Sequence, residues 1–155
     1  GYPVRAIGEA SLDDLNSRID ASQKAASEAS AFRPLPMNRF RANIVVSGST
    51  AYDEDNWEKI SINGSVFRAT KPCARCVVTT IDQIAGAIAG NEPLKTLSQY
   101  RQAKDVIPDR LERLGMSETA VLFGQNLIVE NFGNVIRVGD TVGIDLRSNQ
   151  LVSGK

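Results

Sequence analysis

The dipeptide Asn63-Gly64, set between Trp57–Ile62 and Ser65–Thr70, constrains this chain more than any other feature. Both residues tolerate the positive φ of a two-residue turn, so Trp57–Thr70 is predicted to be a β-hairpin. Further β-branched or apolar runs are predicted as strands at Asn43–Ser47, Cys76–Ile81, Ala120–Phe123, Asn126–Asn131 and Val135–Ile144, the Cys76–Ile81 run being a buried one. Gly133-Asn134 and Gly139-Asp140 mark turns between the last of them. Helical spacing is confined to three places. Ser11 to about Ser30 carries Leu12, Leu15 and Ile19 on one face, with Ser11 and Asp14 as a capping pair and Pro34 and Pro36 beyond its end. Pro93–Ala103 and Asp109–Leu114 are shorter, the second stopped by Gly115. Many short strands with few helices, and no strand–helix alternation, predict an α+β, mainly β fold built on a barrel-like sheet with peripheral helices.

The 155 residues suffice for one domain with a real core, expected over residues 1–147, with a polar tail or linker at 148–155. Eighteen basic residues balance eighteen acidic ones, so no long-range field favours stable nucleic-acid binding, although a local basic site is compatible with that balance. No apolar run approaches the ~20 residues that cross a bilayer, and the first residues lack a signal-peptide layout. The expected location is cytoplasmic, with no membrane partner.

Histidine is absent, which removes Ser-His-Asp and Cys-His nucleophile pairs and every His-based zinc or haem site. The only cysteines are Cys73 and Cys76, in Lys71-Pro72-Cys73-Ala74-Arg75-Cys76. A thioredoxin-type dithiol needs a helix N-terminus beside its first cysteine, whereas strand formers follow here. A shared zinc or iron–sulfur site needs ligands from another chain. Two small buried apolar residues are the bland alternative. Arg68, Lys71 and Arg75 lie close in sequence and would stabilise a thiolate, so a thiolate that binds a soft metal is a fourth reading. A second cluster, Arg39-Phe40-Arg41-Ala42-Asn43, combines guanidinium forks with an amide and suits a polar heterocycle bearing phosphate, or is a solvated strand entry. Asp53-Glu54-Asp55 is expected to be a solvated loop.

Taken together these segments resemble a known family. Asp13-Asp14-Leu15-Asn16, Arg39 through Gly48, Asp55-Asn56-Trp57, Lys71 through Thr80, Glu92 through Leu97, Phe123-Gly124-Gln125-Asn126 and Ile136 through Asp140 resemble, in order, the MOSC domain. The branch is that of the mitochondrial amidoxime-reducing component and its bacterial relatives, and the similarity runs from about Ile7 to Val142. The resemblance implies a MOSC-type β-barrel that binds the molybdenum cofactor, molybdopterin, with Cys76 as metal ligand and catalytic residue. It further implies cofactor contacts by Arg41 and Asn43, and, from adjacency, by Arg39, Arg75 and Asn126. Ser11 joins them because the helix entrance lies near the cofactor in the family. The implied activity is reduction of N-hydroxylated compounds by a molybdenum-dependent oxidoreductase, with electrons from a partner redox protein or domain. A non-catalytic carrier of the cofactor or of sulfur is the alternative. Family members have a β-barrel domain before this region, so the chain is expected to be a C-terminal fragment, inactive alone. Its Ile81–Gly86 loop departs from the family's Asp-Pro-Asp-Thr-Gly.

Overall fold

The computed structural model describes residues 2–26 and 33–147, so the expected tail and the last turn of the first helix lie outside the described residues. The Asn63-Gly64 turn forms as expected, with φ of 46° and 83°. It joins β3 (Trp57–Ile62) to β4 (Ser65–Arg75), in register from Ile62 opposite Ser65 to Lys59 opposite Arg68. β4 continues through Cys73 to Arg75 and pairs along most of its length with β7 (Val121–Asn131).

Six strands make one curled, half-barrel sheet. Its remaining members are β1 (Val4–Gly8), β2 (Ile44–Val46) and β8 (Val142–Leu146), and the order is β2-β1-β7-β4-β3-β8, with β2 and β8 at the edges. All pairs are antiparallel except β1 with β2. β5 (Ile81–Asp82) and β6 (Ala87–Ile88) form a separate small hairpin. The mainly-β α+β expectation is therefore met.

The core follows the alternation of the strands. Trp57, Ile60, Ile62, Phe67 and Leu127 form one cluster on the sheet. On the other face α1 (Glu9–Ala25) lays Leu12, Leu15 and Ile19 against Ile7, Phe40, Leu97 and Phe123. Burying Leu15 completely contributes about 2 kcal/mol by itself. A third, smaller cluster joins Leu122 to α3 (Ala103–Val106) and to the leucines of α4 (Leu111–Leu114). The last of these helices ends at Gly115, φ 56°, as expected. No helix among the described residues is long and apolar enough to cross a membrane.

Several sequence expectations are corrected. α1 starts at Glu9 with Gly8 as its cap, so Ser11 lies inside the helix and caps nothing. β1 carries no turn signal or clean alternation and was not predicted. Cys76–Ile81 is no buried strand: a 3₁₀ turn spans Val77–Thr80, with only Ile81 and Asp82 extended into β5. The hydroxyls of Thr79 and Thr80 donate back to the carbonyls of Cys76 and Val77 at 2.9 and 2.7 Å. This local bonding outcompetes the β preference of the run. The two runs expected from Ala120 to Asn131 are one strand, which runs on through Gly124 at φ 78°. Residues 132–141 form a loop and only Val142–Leu146 is strand, while the Pro93–Ala103 helix shortens to α2 (Leu94–Leu97).

The acidic run is structural rather than a solvated loop. Glu54 is fully buried, and Asp55 pairs with Arg101 at 2.7 Å.

Candidate metal and cofactor site

β4 ends at Arg75, and Cys76 is the first residue beyond it, with its thiol exposed where the chain turns into the Val77–Thr80 3₁₀ segment. The turn stands at the edge of a cleft of about 380 Å³. Among the described residues, five cationic side chains line this cleft, Arg5, Arg39, Arg41, Lys71 and Arg75, and no carboxylate does. In a chain of zero formal charge this is a strong local asymmetry, and its positive potential suits an anion.

Two of the arginines are held in place with N–H groups to spare. Arg75 donates from Nε to the Phe123 carbonyl and from Nη1 to the Phe40 carbonyl, both at 2.8 Å, and its Nη2 is buried without a partner. Arg39 is 5% exposed; its Nη2 pairs with Asp82 at 3.1 Å, while Nε and Nη1 are buried and unpartnered. Buried donors without a partner in the chain are uncommon, and ordered water or a bound ligand completes them. Arg41 stands beside them, exposed, in the left-handed region at φ 54° where the 3₁₀ turn Met37–Phe40 ends. Strained backbone in a non-glycine residue clusters at functional sites. Arg5 was not found from sequence, because the strand that carries it was not predicted. Lys71, close to the cysteines in sequence, places its Nζ 5.9 Å from the Tyr2 ring centroid.

The two cysteines differ. Cys73 is 3% exposed, and its Sγ donates to Asn126 Oδ1 at 2.9 Å. Burial pushes its thiol pKa up against the opposing pull of Arg75 and Arg5. Asn126 in turn donates to the Pro72 carbonyl at 3.3 Å. Cys73 through Cys76 is extended backbone, which separates the two α-carbons by about 10 Å, too far for a disulfide or a dithiol couple. Among the described residues no group of three or more His, Cys, Asp or Glu side chains could hold a metal, so zinc- or iron–sulfur-type clusters are excluded there. A metal on Cys76 would therefore draw its remaining ligands from outside the described residues.

Of the residues singled out from sequence, Arg39, Arg41, Arg75, Cys76 and Asn126 meet in this one cleft. Asn43 does not line it: its Oδ1 accepts the Arg5 backbone N–H at 2.9 Å, and its own N–H returns a bond to the Arg5 carbonyl. Ser11 is fully buried elsewhere, donating to Glu54 Oε2 at 2.8 Å.

The MOSC domain family model matches residues 1–143. Mitochondrial amidoxime-reducing component 1 of Homo sapiens is 39% identical over 140 residues, 90% of this chain and 36% of the human protein. Mitochondrial amidoxime reducing component 2 of Rattus norvegicus is 37% identical over the same shares of each. Molybdenum cofactor sulfurase of Oryza sativa subsp. japonica is 34% identical over 137 residues, 88% of this chain and 16% of the rice protein. The chain thus spans little more than a third of the mitochondrial relatives. With a family match over nearly its whole length, this chain belongs to the MOSC domain family.

Proposed function

We propose that this domain is the metal-ligating part of a molybdenum-cofactor enzyme that reduces N-hydroxylated compounds, with Cys76 as the protein's ligand to the metal. The observation that carries this reading is an exposed thiol at the edge of a cleft with five cations and no carboxylate. The donor set fits the group: one soft thiolate suits a metal whose other ligands arrive on an anionic organic cofactor. The unpartnered N–H groups of Arg39 and Arg75 suit its phosphate. When bound, the cofactor supplies two-electron chemistry at the N–O bond; an amidoxime takes up two electrons and two protons and yields an amidine and water.

The chain's own residues then have separate tasks. Arg39, Arg41 and Arg75 bind and orient the anionic end, and Arg5 and Lys71 extend the same wall. Asn126, fixed by Cys73 and Pro72, offers a polar contact at the cleft floor. Asn43 acts on Arg5 as a positioning residue, and Ser11 is left out of the contact set because it has no open face. With no histidine in this chain, the reading takes the substrate protons from water or from carboxylates.

The relatives' greater length supports a further β-barrel domain completing the pocket and an electron-donor protein or domain serving it. Cytoplasmic location belongs to the same reading, and fractionation of the tagged full-length protein checks it against the mitochondrial location in the relatives' names. The carrier reading is favoured by the similarity to the rice sulfurase.

The test is molybdenum and pterin content of the full-length protein from cofactor-competent cells, comparing wild type, Cys76→Ala and Cys73→Ala. Stoichiometric metal lost only in Cys76→Ala is expected, and no metal in any version overturns the reading. Turnover of an amidoxime with a chemical electron donor separates the reductase from the carrier.

A further inference from the structure

A second cleft, of about 560 Å³, lies behind the turn that follows Cys76. The Val77–Thr80 3₁₀ segment is the wall between the two: Val78 and Thr79 face the cationic cleft, and Val77 and Thr80, three residues apart and therefore eclipsed, face the second. Arg75 lines both. The second cleft has a different chemistry. Val77, Ile88, Leu94 and Val121 supply apolar surface, and among the described residues Lys95 and Arg75 are its charged members, with no carboxylate. Val77 is 55% exposed and Ile88 65%, so two large apolar side chains stand in solvent within a concavity of ligand size.

We infer that this second cleft is the specificity subsite for the substrate of the proposed reductase, holding the apolar body of a neutral N-hydroxylated compound. The polar N–OH end then reaches past Val77 towards Cys76. This rests on the reading of Cys76 given above.

The absence of carboxylates adds a consequence for turnover. An amidoxime is neutral near pH 7. Its amidine product is a strong base that takes up one further proton from water and becomes a cation. Apolar contact holds the neutral substrate here, and Lys95, the cation of this subsite that is not engaged with the anionic cofactor, disfavours the cationic product, so reduction itself weakens binding and favours release.

The test uses the full-length holoprotein with dithionite as electron source and compares benzamidoxime with acetamidoxime, which lacks the aryl body. Ile88→Ser, a change at an exposed hairpin position, is expected to raise KM for benzamidoxime about tenfold and to leave KM for acetamidoxime and molybdenum content unchanged. Lys95→Glu is expected to tighten inhibition by benzamidine about fivefold or more. A binding readout independent of turnover is methyl NMR of Ile88, which should shift on titration with benzamidoxime and far less with benzamidine. Equal KM changes for the two substrates, or an Ile88 methyl indifferent to benzamidoxime, overturn the subsite. Unchanged benzamidine inhibition in Lys95→Glu overturns the release argument. Loss of metal in Cys76→Ala alongside either result leaves the reading of Cys76 standing, so the two failures are distinguishable.

Discussion

The Ser11 hydroxyl donates to Oε2 of Glu54 at 2.8 Å inside the fold and at the same time accepts the backbone N–H of Tyr52 at 2.8 Å. One hydroxyl therefore ties α1 to the acidic turn at residues 53–56. Glu54 is buried beside the helix start, and its second oxygen has no partner. Burial pushes its carboxyl pKa up, opposed by the Ser11 bond. Because the folded protein holds this proton more tightly than the unfolded chain, the group's contribution is complete below the ordinary glutamate range. It is lost as pH rises through the folded value.

Glu54→Gln keeps an acceptor for Ser11 and removes the titration. Its melting temperature should exceed that of wild type near pH 7 and converge with it towards pH 4, measured by calorimetry. A wild type that gains no stability relative to Glu54→Gln on acidification contradicts this assignment. Ser11→Ala should cost about 1–3 kcal/mol in urea unfolding, the penalty of leaving buried groups without their bond.

Gly124 underlies the position of Arg75. At φ 78°, a Cβ on this residue would stand 2.7 Å from Ile7 Cγ1, 2.9 Å from the Ala6 carbonyl oxygen and 3.3 Å from Arg75 Nη2. Gly124→Ala combines left-handed strain with overpacking against β1, and about 2–4 kcal/mol of stability should be lost. Denaturant unfolding measures this directly. If the cofactor reading holds, pterin content should fall as well, since Arg75 has to shift.

Legibility in the sequence tracks how local the cause is. The β3–β4 hairpin was readable because two residues with special φ preferences dictate it, and α4 was readable because Gly115 ends it. Arg39, Arg41, Arg75 and Cys76 stand out in the sequence as two local clusters, the resemblance adds Asn126 and the metal role of Cys76, and the fold gathers the five from three separate segments into one cleft. No period or spacing could have done so. The 3₁₀ turn at Val77–Thr80 was missed because β propensity reports packing against neighbours, and this turn lies outside the sheet. Glu54 and Asp55 read as solvated because their partners, Ser11 and Arg101, lie more than forty residues away.

Asp55 and Arg101 form an ion pair with little exposure, 2.7 Å apart, and Arg101 Nε also donates to the Leu122 carbonyl at 3.2 Å. Removing one partner strands the other charge. Asp55→Ala should cost about 3–5 kcal/mol in chemical denaturation. The double variant Asp55→Leu with Arg101→Met should recover part of that loss, because it removes both charges and leaves apolar volume. A double variant as unstable as the sum of the singles would mean that Arg101 acts through Leu122 rather than through Asp55.

The cysteine pair offers a sharp chemical readout. Cys76 is exposed, whereas Cys73 is buried, has its thiol pKa pushed up by that burial, and donates a hydrogen bond to Asn126 Oδ1. Iodoacetamide should therefore modify one thiol per folded chain, at Cys76, with Cys73 reacting only as fast as the protein opens. Peptide mapping by mass spectrometry identifies the site. Diamide should give no disulfide within the chain, since extended backbone holds the two α-carbons about 10 Å apart. Cys73→Ser keeps a donor for Asn126 and should preserve the cleft, while Cys73→Ala should cost about 1–2 kcal/mol from the lost bond and packing. Two rapidly alkylated thiols, or a diamide-induced bridge in the folded state, would contradict the division of roles in which one cysteine faces the cleft and the other supports its floor.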